Sequence, residues 1–176
     1  MKVINFAPEN MFGADILNGR KKQTIRSRPI EVGTKVVLWE KKRGMKKGWY
    51  CLECFAPTEK LSETAYLCPE HGEKIKVSKF PRKLLEATIK ECIPIEFRWD
   101  DEDRVLDLKV KGAYHQSIEY DYQLLSGQCP FVKADTPDWN NRQFIDFFLR
   151  TYPKIRKKWV KFYIWKWQKE AEKHEM

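Results

Sequence analysis

Short runs of apolar residues along the chain have the length and composition of β-strands. β-branched and aromatic residues are concentrated in Lys35–Glu40, in residues 84–97 and in Val105–Val110, as is typical of strands in a folded sheet. Residues 159–167 are aromatic on both faces and predict a last strand. Because these runs do not alternate regularly with helices, the pattern predicts an α+β fold with a mostly antiparallel sheet or a small barrel.

Two other segments carry the spacing and end signals of helices. Residues 8–18 begin with a proline, have an acid in the first turn and stop before Gly19. The Thr-Pro-Asp sequence at 136–138 offers a capping hydroxyl, a proline and an acid, and aromatic residues follow at helical spacing as far as Tyr152. Residues 115–133 show neither period and are predicted to be irregular or weakly helical.

Charge indicates an anionic partner. The net charge is +9, from 34 Lys and Arg against 25 Asp and Glu, and positive charge is dense in residues 20–28, 41–47 and 154–161. A single basic run is often only a solvated face, whereas three runs favour nucleic acid. No signal peptide is recognisable, and no apolar run approaches the ~20 residues of a membrane span. We therefore expect a cytoplasmic protein without membrane association.

Four potential metal ligands occur in two pairs. Cys51 and Cys54 are two residues apart, as are Cys68 and His71, and residues 55–67 separate the pairs. This spacing suits tetrahedral Zn²⁺, and four protein ligands leave no open position, so the predicted site is structural. The alternatives are unrelated thiols with a surface histidine, or a redox pair that would leave the second pair without a role.

The segment around these ligands differs from the rest of the chain. Residues 49–76 contain few large aliphatic side chains, so we interpret them as a zinc-dependent module inserted into a single domain over residues 1–176. Such a hairpin could serve as a platform for a protein partner. Trp49 and Tyr50, beside the first ligand pair, either pack around the metal or stack on single-stranded bases.

A second pattern of functional residues follows the first predicted helix. Residues 19–26 read Gly-Arg-Lys-Lys-Gln-Thr-Ile-Arg, and residues 22–30 are predicted to be extended. In an extended segment Lys22, Thr24 and Arg26 share one face. Basic side chains contact phosphates, and a threonine hydroxyl reaches a base or sugar. The alternative is a solvated basic strand. The candidate contacts to nucleic acid are Arg20, Lys22, Arg26 and Arg28.

This segment resembles the signature of the ASCH domain, a family of the PUA-like superfamily. The pattern Gly-x-Lys-x-x-Thr-x-Arg is matched by Gly19, Lys21, Thr24 and Arg26. A glycine-containing turn with a strand after the motif, and a late aromatic helix with a closing strand, are also similar. The resemblance covers about residues 3–40 and 84–167, and lies outside the zinc module. It implies a small PUA-like barrel with flanking helices and a cleft for RNA or a nucleotide.

The resemblance also implies possible enzymatic activity. One group of the family resembles amidohydrolases that deacetylate N4-acetylcytidine, and other members are described as ribonucleases. Carried over to this chain, Lys21 would be the base, Thr24 the nucleophile and Asp135 the proton shuttle. Residues 135–139 lack the glycine of the family pattern, so Asp138 is the alternative acid. The leading expectation is an RNA- or nucleotide-binding module, with the enzyme and the protein-interaction platform as alternatives.

Overall fold

The computed structural model describes residues 1–73, 75–121 and 128–171, and these form an α+β fold with mostly antiparallel sheets. The strands are β1 Lys2–Phe6, β2 Gln23–Arg26, β3 Lys35–Glu40, β4 Gly48–Cys51, β5 Glu59–Lys60, β6 Tyr66–Leu67, β7 Val77–Phe80, β8 Arg82–Asp100, β9 Val105–Val110, β10 Ala113–Glu119 and β11 Val160–Lys169. The helices are α1 Gly13–Leu17, α2 Pro130–Asp135 and α3 Asn141–Thr151, with 3-10 turns at Pro8–Asn10 and Pro153–Arg156.

A seven-stranded sheet forms the body of the molecule. Its strand order is β1-β3-β8-β11-β2, with β9 on β8 and β10 on β9. Only the β1–β3 pair is parallel. The first half of β8 pairs with β3, its last residues pair with β9, and β11 runs along most of its length. Among the described residues no pairing joins the edge strands β1 and β2, so the sheet does not close into a barrel.

The long strand β8 contributes to two separate hydrophobic clusters. One lies between its second half and the two later helices, and includes Phe97, Phe144, Phe148 and Phe162. The other lies between its first half, β1, β3 and α1, and includes Ile4, Ile16, Leu38 and Trp167. Each cluster excludes a large apolar area from water and so stabilises its half of the sheet. The junction between the clusters is where the functional side chains collect.

The strand predictions for Lys35–Glu40 and Val105–Val110 are confirmed, and residues 84–97 lie within β8. The predicted helix over residues 8–18 is wrong in extent, because Met11 adopts a left-handed φ of 56° and divides a 3-10 turn from α1. This turn lets the Phe12 ring pack against Phe6 and Trp139, at centroid distances of 6.2 and 5.1 Å. Tertiary packing therefore overrides the helical spacing.

The predicted helix start at Thr136 is also wrong. The Thr136 amide donates to the Val132 carbonyl at 2.7 Å, and its hydroxyl donates to the same oxygen at 3.1 Å, so Thr136 ends α2. Helix α3 is capped by Asn140, whose side chain accepts from the Gln143 amide while its own amide donates to the Gln143 side chain, both at 2.9 Å. This reciprocal pair satisfies two amides that a helix start leaves without partners.

Two strands of the seven-stranded sheet were not predicted. The strand β1 had been assigned no structure, and β10 falls in the segment 115–133 that was predicted to be irregular or weakly helical. The strand β10 is polar apart from the buried Ile118, so its sequence lacks clear alternation. The prediction for residues 122–127 lies outside the described residues. None of the described helices combines the length and apolar character needed to cross a membrane.

The segment with the metal ligands forms its own small sheets. Strand β4 pairs with β7 and β5 pairs with β6, and neither pair is joined to the seven-stranded sheet. The ends of this unit enter and leave near the buried Glu40, whose carboxylate accepts a hydrogen bond from Arg82 Nε at 2.8 Å. We call residues 48–80 the metal module.

Candidate ligand cavity and candidate metal centre

A cavity of about 240 Å³ lies at the junction of the two clusters, between the edge strands β1 and β2. Its lining residues are Asn5, Phe6, Ala7, Asn10, Phe12, Lys21, Thr24, Ile25, Arg26, Asp135, Thr136, Trp139, Phe147, Phe148 and Tyr152. The walls therefore combine aromatic rings with two cations, one carboxyl group and hydroxyls. This composition is typical of a small-molecule site, in which apolar walls supply burial and a few polar groups fix orientation.

Lys21 is the most unusual side chain of the cavity, because it is a lysine with only 1% of its side-chain surface exposed. Its amide donates to the Asp15 carbonyl at 2.9 Å, which holds it at the end of α1. Its Nζ donates to the Asp135 main-chain carbonyl and lies 4.5 Å from the centre of the Phe12 ring. Burial lowers the pKa of Lys21, although the nearby Asp135 carboxylate opposes that effect.

Asp135, the last residue of α2, places a buried carboxyl group beside Lys21. Its Oδ1 lies 3.7 Å from Lys21 Nζ and accepts no hydrogen bond from the described residues. Burial raises the pKa of Asp135, while Lys21, Arg26 and the Gln23 side chain partly offset the increase. A buried oxygen that accepts no hydrogen bond is costly. The arrangement therefore favours a ligand that can donate to it.

Thr24 and Arg26 reach the cavity from β2. Thr24 is buried, and its backbone pairs with Trp165 of β11. Arg26 Nη2 donates to the Asn5 carbonyl of β1 at 3.0 Å, and its guanidinium lies 5.2 Å from the centre of the Phe6 ring. Burial lowers the pKa of Arg26, and its buried Nε has no hydrogen-bond partner among the described residues. Arg26 thus connects the two edge strands of the sheet.

The structure brings together Lys21, Thr24, Arg26 and Asp135, but it does so in a way that strand alternation did not predict. Alternation predicts Lys22, rather than Lys21, on the same face as Thr24 and Arg26. The strand β2 begins only at Gln23, so Lys21 belongs to the turn after α1 and its side chain is free to enter the same cavity.

The other candidate contacts of this segment lie outside the cavity. Arg20 Nη1 pairs with Asp15 at 2.9 Å and with Asp138 at 3.1 Å, so Asp138, the alternative acid, is engaged outside the cavity. Lys22 is exposed, and its carbonyl accepts from the Trp167 amide at 3.0 Å. Arg28 is exposed, and its carbonyl accepts from Trp165 Nε1 at 2.9 Å.

The aromatic walls were missed by sequence reasoning. Phe6 and Phe12 lie near the start of the chain, whereas Trp139 and Tyr152 flank α3, and each fits equally well as an ordinary core residue. The Trp139 ring lies 5.1 Å from Phe12 and 5.7 Å from Phe147, both measured between ring centroids. Only the fold, which packs α3 against the turn before α1, makes these rings one surface.

The four predicted metal ligands do converge in the metal module. Their ligand atoms all lie within 4.8 Å of one another. Cys54 Sγ lies 3.5 Å from Cys68 Sγ, and His71 Nδ1 lies 3.6 Å from both Cys51 Sγ and Cys68 Sγ. For tetrahedral zinc with Zn–S of about 2.3 Å and Zn–N of about 2.0 Å, neighbouring ligand atoms are about 3.5–3.8 Å apart. The cluster therefore has the dimensions to hold a metal ion.

A carboxylate orients the histidine of this cluster. His71 Nε2 lies 3.1 Å from Glu53 Oε2, which leaves Nδ1 directed at the three sulfurs. Metal-binding histidines commonly donate their second ring nitrogen in this way, which fixes the tautomer. Glu53 was not identified from the sequence, although it lies between the first two cysteines.

Comparison with known proteins gave no match, since no family model, curated protein or solved structure is significantly similar to this chain.

Proposed function

We propose that this chain is an ASCH-type module that binds RNA or a nucleotide, with one nucleoside unit entering the cavity. The observation that carries the proposal is the convergence of Lys21, Thr24, Arg26 and Asp135 in one aromatic-walled cavity. The match of the first three to the ASCH signature supports the same assignment. Arg26 spans the gap between β1 and β2 and lines the cavity, so a ligand in the cavity would lie beside a cation of the signature.

The chemistry of the walls fits a nucleoside better than a purely apolar ligand. A base can stack on the rings of Trp139 or Phe12, while Asp135 accepts from an exocyclic amine or a ribose hydroxyl. Arg26 and Lys21 supply positive charge for a phosphate or a base carbonyl. The cavity volume of about 240 Å³ limits the occupant to about one nucleoside.

The test is binding of a labelled single-stranded RNA and of nucleoside monophosphates by variants of the cavity. Lys21→Met keeps the length of the side chain without its charge, and Arg26→Ala removes the guanidinium. Each should weaken binding by about tenfold or more, since a hydrogen bond to a charged group is lost. Lys22→Ala, one residue away and outside the cavity, is the matched control. Thermal unfolding verifies that both variants are folded. If the folded Lys21 and Lys22 variants bound with equal affinity, the proposal would be contradicted.

A second candidate function is amide hydrolysis of an acylated nucleoside in the same cavity. Burial lowers the pKa of Lys21 and raises that of Asp135, and both shifts favour an uncharged amine beside a protonated acid. This is the starting state that a lysine base and an acid donor need.

The proposed steps use three side chains of the cavity. Thr24 Oγ1 bonds to the acyl carbon and gives its proton to Lys21 Nζ, and the C–N bond breaks as the leaving amine takes the Asp135 proton. Water then attacks the Thr24 ester, returning one proton to Asp135. Thr24 Oγ1 leaves with the proton held by Lys21, so the enzyme is restored.

Release of acetate from N4-acetylcytidine measures this activity. Thr24→Val and Lys21→Met should each abolish turnover, whereas Lys22→Ala should retain it. Turnover that persists in both cavity variants would rule out this mechanism. The ribonuclease alternative uses the same side chains. Cleavage of a labelled RNA measures this activity, and the same cavity variants should lose it.

We also propose that the ion of the metal module is structural Zn²⁺. Three thiolates and one imidazole suit zinc, and four protein ligands complete its tetrahedral shell. Bound zinc can be quantified by metal analysis of the protein purified without added metal. A different metal, or substoichiometric zinc that does not increase when Zn²⁺ is added, would contradict the assignment.

A further inference from the structure

A second and larger concavity lies between the basic loop, residues 41–47, and the first strand of the metal module. Its volume is about 450 Å³. The lining residues are Lys42, Arg43, Gly44, Met45, Lys46, Lys47, Gly48, Trp49, Tyr50, Phe55, Pro57 and Thr58. None of them lines the Lys21 cavity, so this cleft needs an explanation of its own. We call it the loop cleft.

Positive charge in the loop cleft is largely uncompensated. Lys42 pairs with Glu9. Arg43, Lys46 and Lys47 are exposed, and within the described part of the chain no carboxylate lies within ion-pair distance of them. Three neighbouring cations without a carboxylate partner favour binding of a polyanion, whose charges are spaced along its chain.

The loop is held against the strand by a specific contact. The Tyr50 ring is buried against Phe80, at a centroid distance of 6.1 Å, and its hydroxyl donates to the Lys46 carbonyl at 2.6 Å. The cations at the adjacent positions are therefore presented from an anchored backbone. Such anchoring reduces the ordering cost of binding.

An aromatic ring stands beside these cations. Trp49 is 39% exposed although it is a tryptophan, and its ring is supported by Tyr66 at a centroid distance of 5.0 Å and an interplanar angle of 34°. Its carbonyl accepts from both the amide and the hydroxyl of Thr58, at 3.0 and 2.8 Å. The ring is therefore braced from within the module and still accessible to solvent, as a stacking platform requires.

We propose that the loop cleft binds a segment of single-stranded nucleic acid, with phosphates on Arg43, Lys46 and Lys47 and a base on Trp49. A group of cations beside an accessible ring can bind the phosphates and one base of a single strand. An acidic peptide would engage the cations but give the tryptophan no specific role. A duplex hides its base faces within the stack. The inference extends the proposed function to a second site but does not depend on the cavity.

The test uses the full chain with its metal bound and a fluorescently labelled oligouridylate, with binding followed by anisotropy over a range of salt. Trp49→Ala should weaken binding by about tenfold, since one stacked base is lost. The double variant Lys46→Ala/Lys47→Ala should lower the slope of log K against log salt by about 1.4, at about 0.7 for each phosphate contact to a single strand. Lys35→Ala/Lys90→Ala removes two exposed lysines that lie outside the cleft and outside the three basic runs, and it should leave the slope nearly unchanged.

Three results would overturn the proposal. The first is unchanged binding in both cleft variants. The second is binding of a duplex as tight as that of the single strand, with no effect of Trp49→Ala. The third concerns competition by an acidic peptide. If the same peptide concentration displaced the oligonucleotide from the wild type and from Trp49→Ala, the tryptophan would give no preference for nucleic acid.

Two further variants distinguish a failure of the loop-cleft proposal from a damaged metal module and from a failure of the cavity proposal. Trp49→Leu keeps apolar contact with Tyr66 while removing the aromatic face, so it distinguishes lost stacking from a damaged module, and metal content verifies that the module is intact. Lys21→Met reports on the cavity. Weakening by Lys21→Met alone supports the proposed function and contradicts the loop cleft, whereas weakening by the cleft variants alone does the reverse.

Discussion

Asp15 joins α1 to the segment that follows α2. Its carboxylate is 97% buried and accepts from Arg20 Nη1 at 2.9 Å, and the same guanidinium nitrogen lies 3.1 Å from Asp138. Burial, followed by the shared hydrogen bond with Asp138, raises the pKa of Asp15 to about 6, while Arg20 and Lys21 oppose the increase. The pKa of Asp138 is lowered, chiefly by that same hydrogen bond. Asp15 is therefore the member of the pair that binds the proton as the pH falls through about 6.

A pH dependence of stability follows from this pair. Because the pKa of Asp15 rises from 3.8 to about 6 on folding, the folded protein binds more protons than the unfolded chain in that range. The contribution of Asp15 to the free energy of unfolding should decrease as pH rises through about 6, by at most about 3 kcal/mol. Asp15→Asn, which imitates the protonated form, should remove this decrease.

Urea denaturation between about pH 4 and pH 7 measures the effect. Asp103→Asn, which replaces an exposed acid in the β8–β9 turn, is the control and should leave the pH profile unaltered. An Asp15→Asn protein that keeps the wild-type profile would show that other groups govern stability in this range.

Local spacing in the sequence identified the candidate metal ligands but not the burial of Lys21 and Asp135. The metal ligands were identified because a two-residue gap fixes their separation whatever the rest of the chain does. Burial of Lys21 and Asp135 was not derivable from composition, since lysine and aspartate are usually exposed. It results from packing of the α1–β2 segment against α2, which lies far along the chain.

At the scale of elements, the successful predictions were those with strong patterns. Strand β3 is rich in β-branched and aromatic residues, strand β9 alternates apolar with polar residues at its centre, and both match their predicted bounds. The start of α3 was misplaced because residues 136–138 imitate a helix start, whereas the capping pair of Asn140 and Gln143 has the spacing of a true one. Strand β10 exists mainly through its pairing with β9, and such pairing is invisible in a polar sequence.

The metal module should depend on its ion. Its buried apolar residues are few, and Tyr50, Cys51, Tyr66, Cys68 and Phe80 belong to neither hydrophobic cluster of the main sheet. We therefore expect the proposed metal coordination to supply much of its folding free energy. Chelation should increase amide hydrogen exchange throughout residues 48–80, by about 100-fold or more, while β8 and β11 remain protected.

The matched variants are two cysteine substitutions. Cys68→Ser should reproduce the effect of chelation, whereas Cys92→Ser, at a half-buried thiol outside the cluster, should not. Unchanged exchange in the module after complete removal of the metal would refute its dependence on the ion. Loss of protection throughout β8 and β11 as well would refute the independence of the main sheet.

At the scale of the whole molecule, the candidate cavity lies where the sheet is open, between β1 and β2. The two hydrophobic clusters pack on different halves of β8, and the cavity occupies the junction that neither cluster fills. Within the described part of the chain, the backbone of β1 pairs with that of β3 and with no other strand. A site in this position is connected to both halves of the molecule.

Arg26 should therefore stabilise the sheet as well as line the cavity. Its hydrogen bond to Asn5 links β2 to β1, and its guanidinium covers the buried Phe6 ring. Arg26→Ala should lower the free energy of unfolding by about 1.5–3 kcal/mol, and should increase amide exchange in Lys2–Phe6 more than in the metal module. Arg28→Ala, two residues further on and exposed, removes the same side chain without that link and should change both quantities little. If Arg26→Ala and Arg28→Ala were equally stable and showed the same amide exchange in β1, the Arg26 guanidinium would not link β1 to β2. Any link across the gap between these strands would then have to come from a bound ligand.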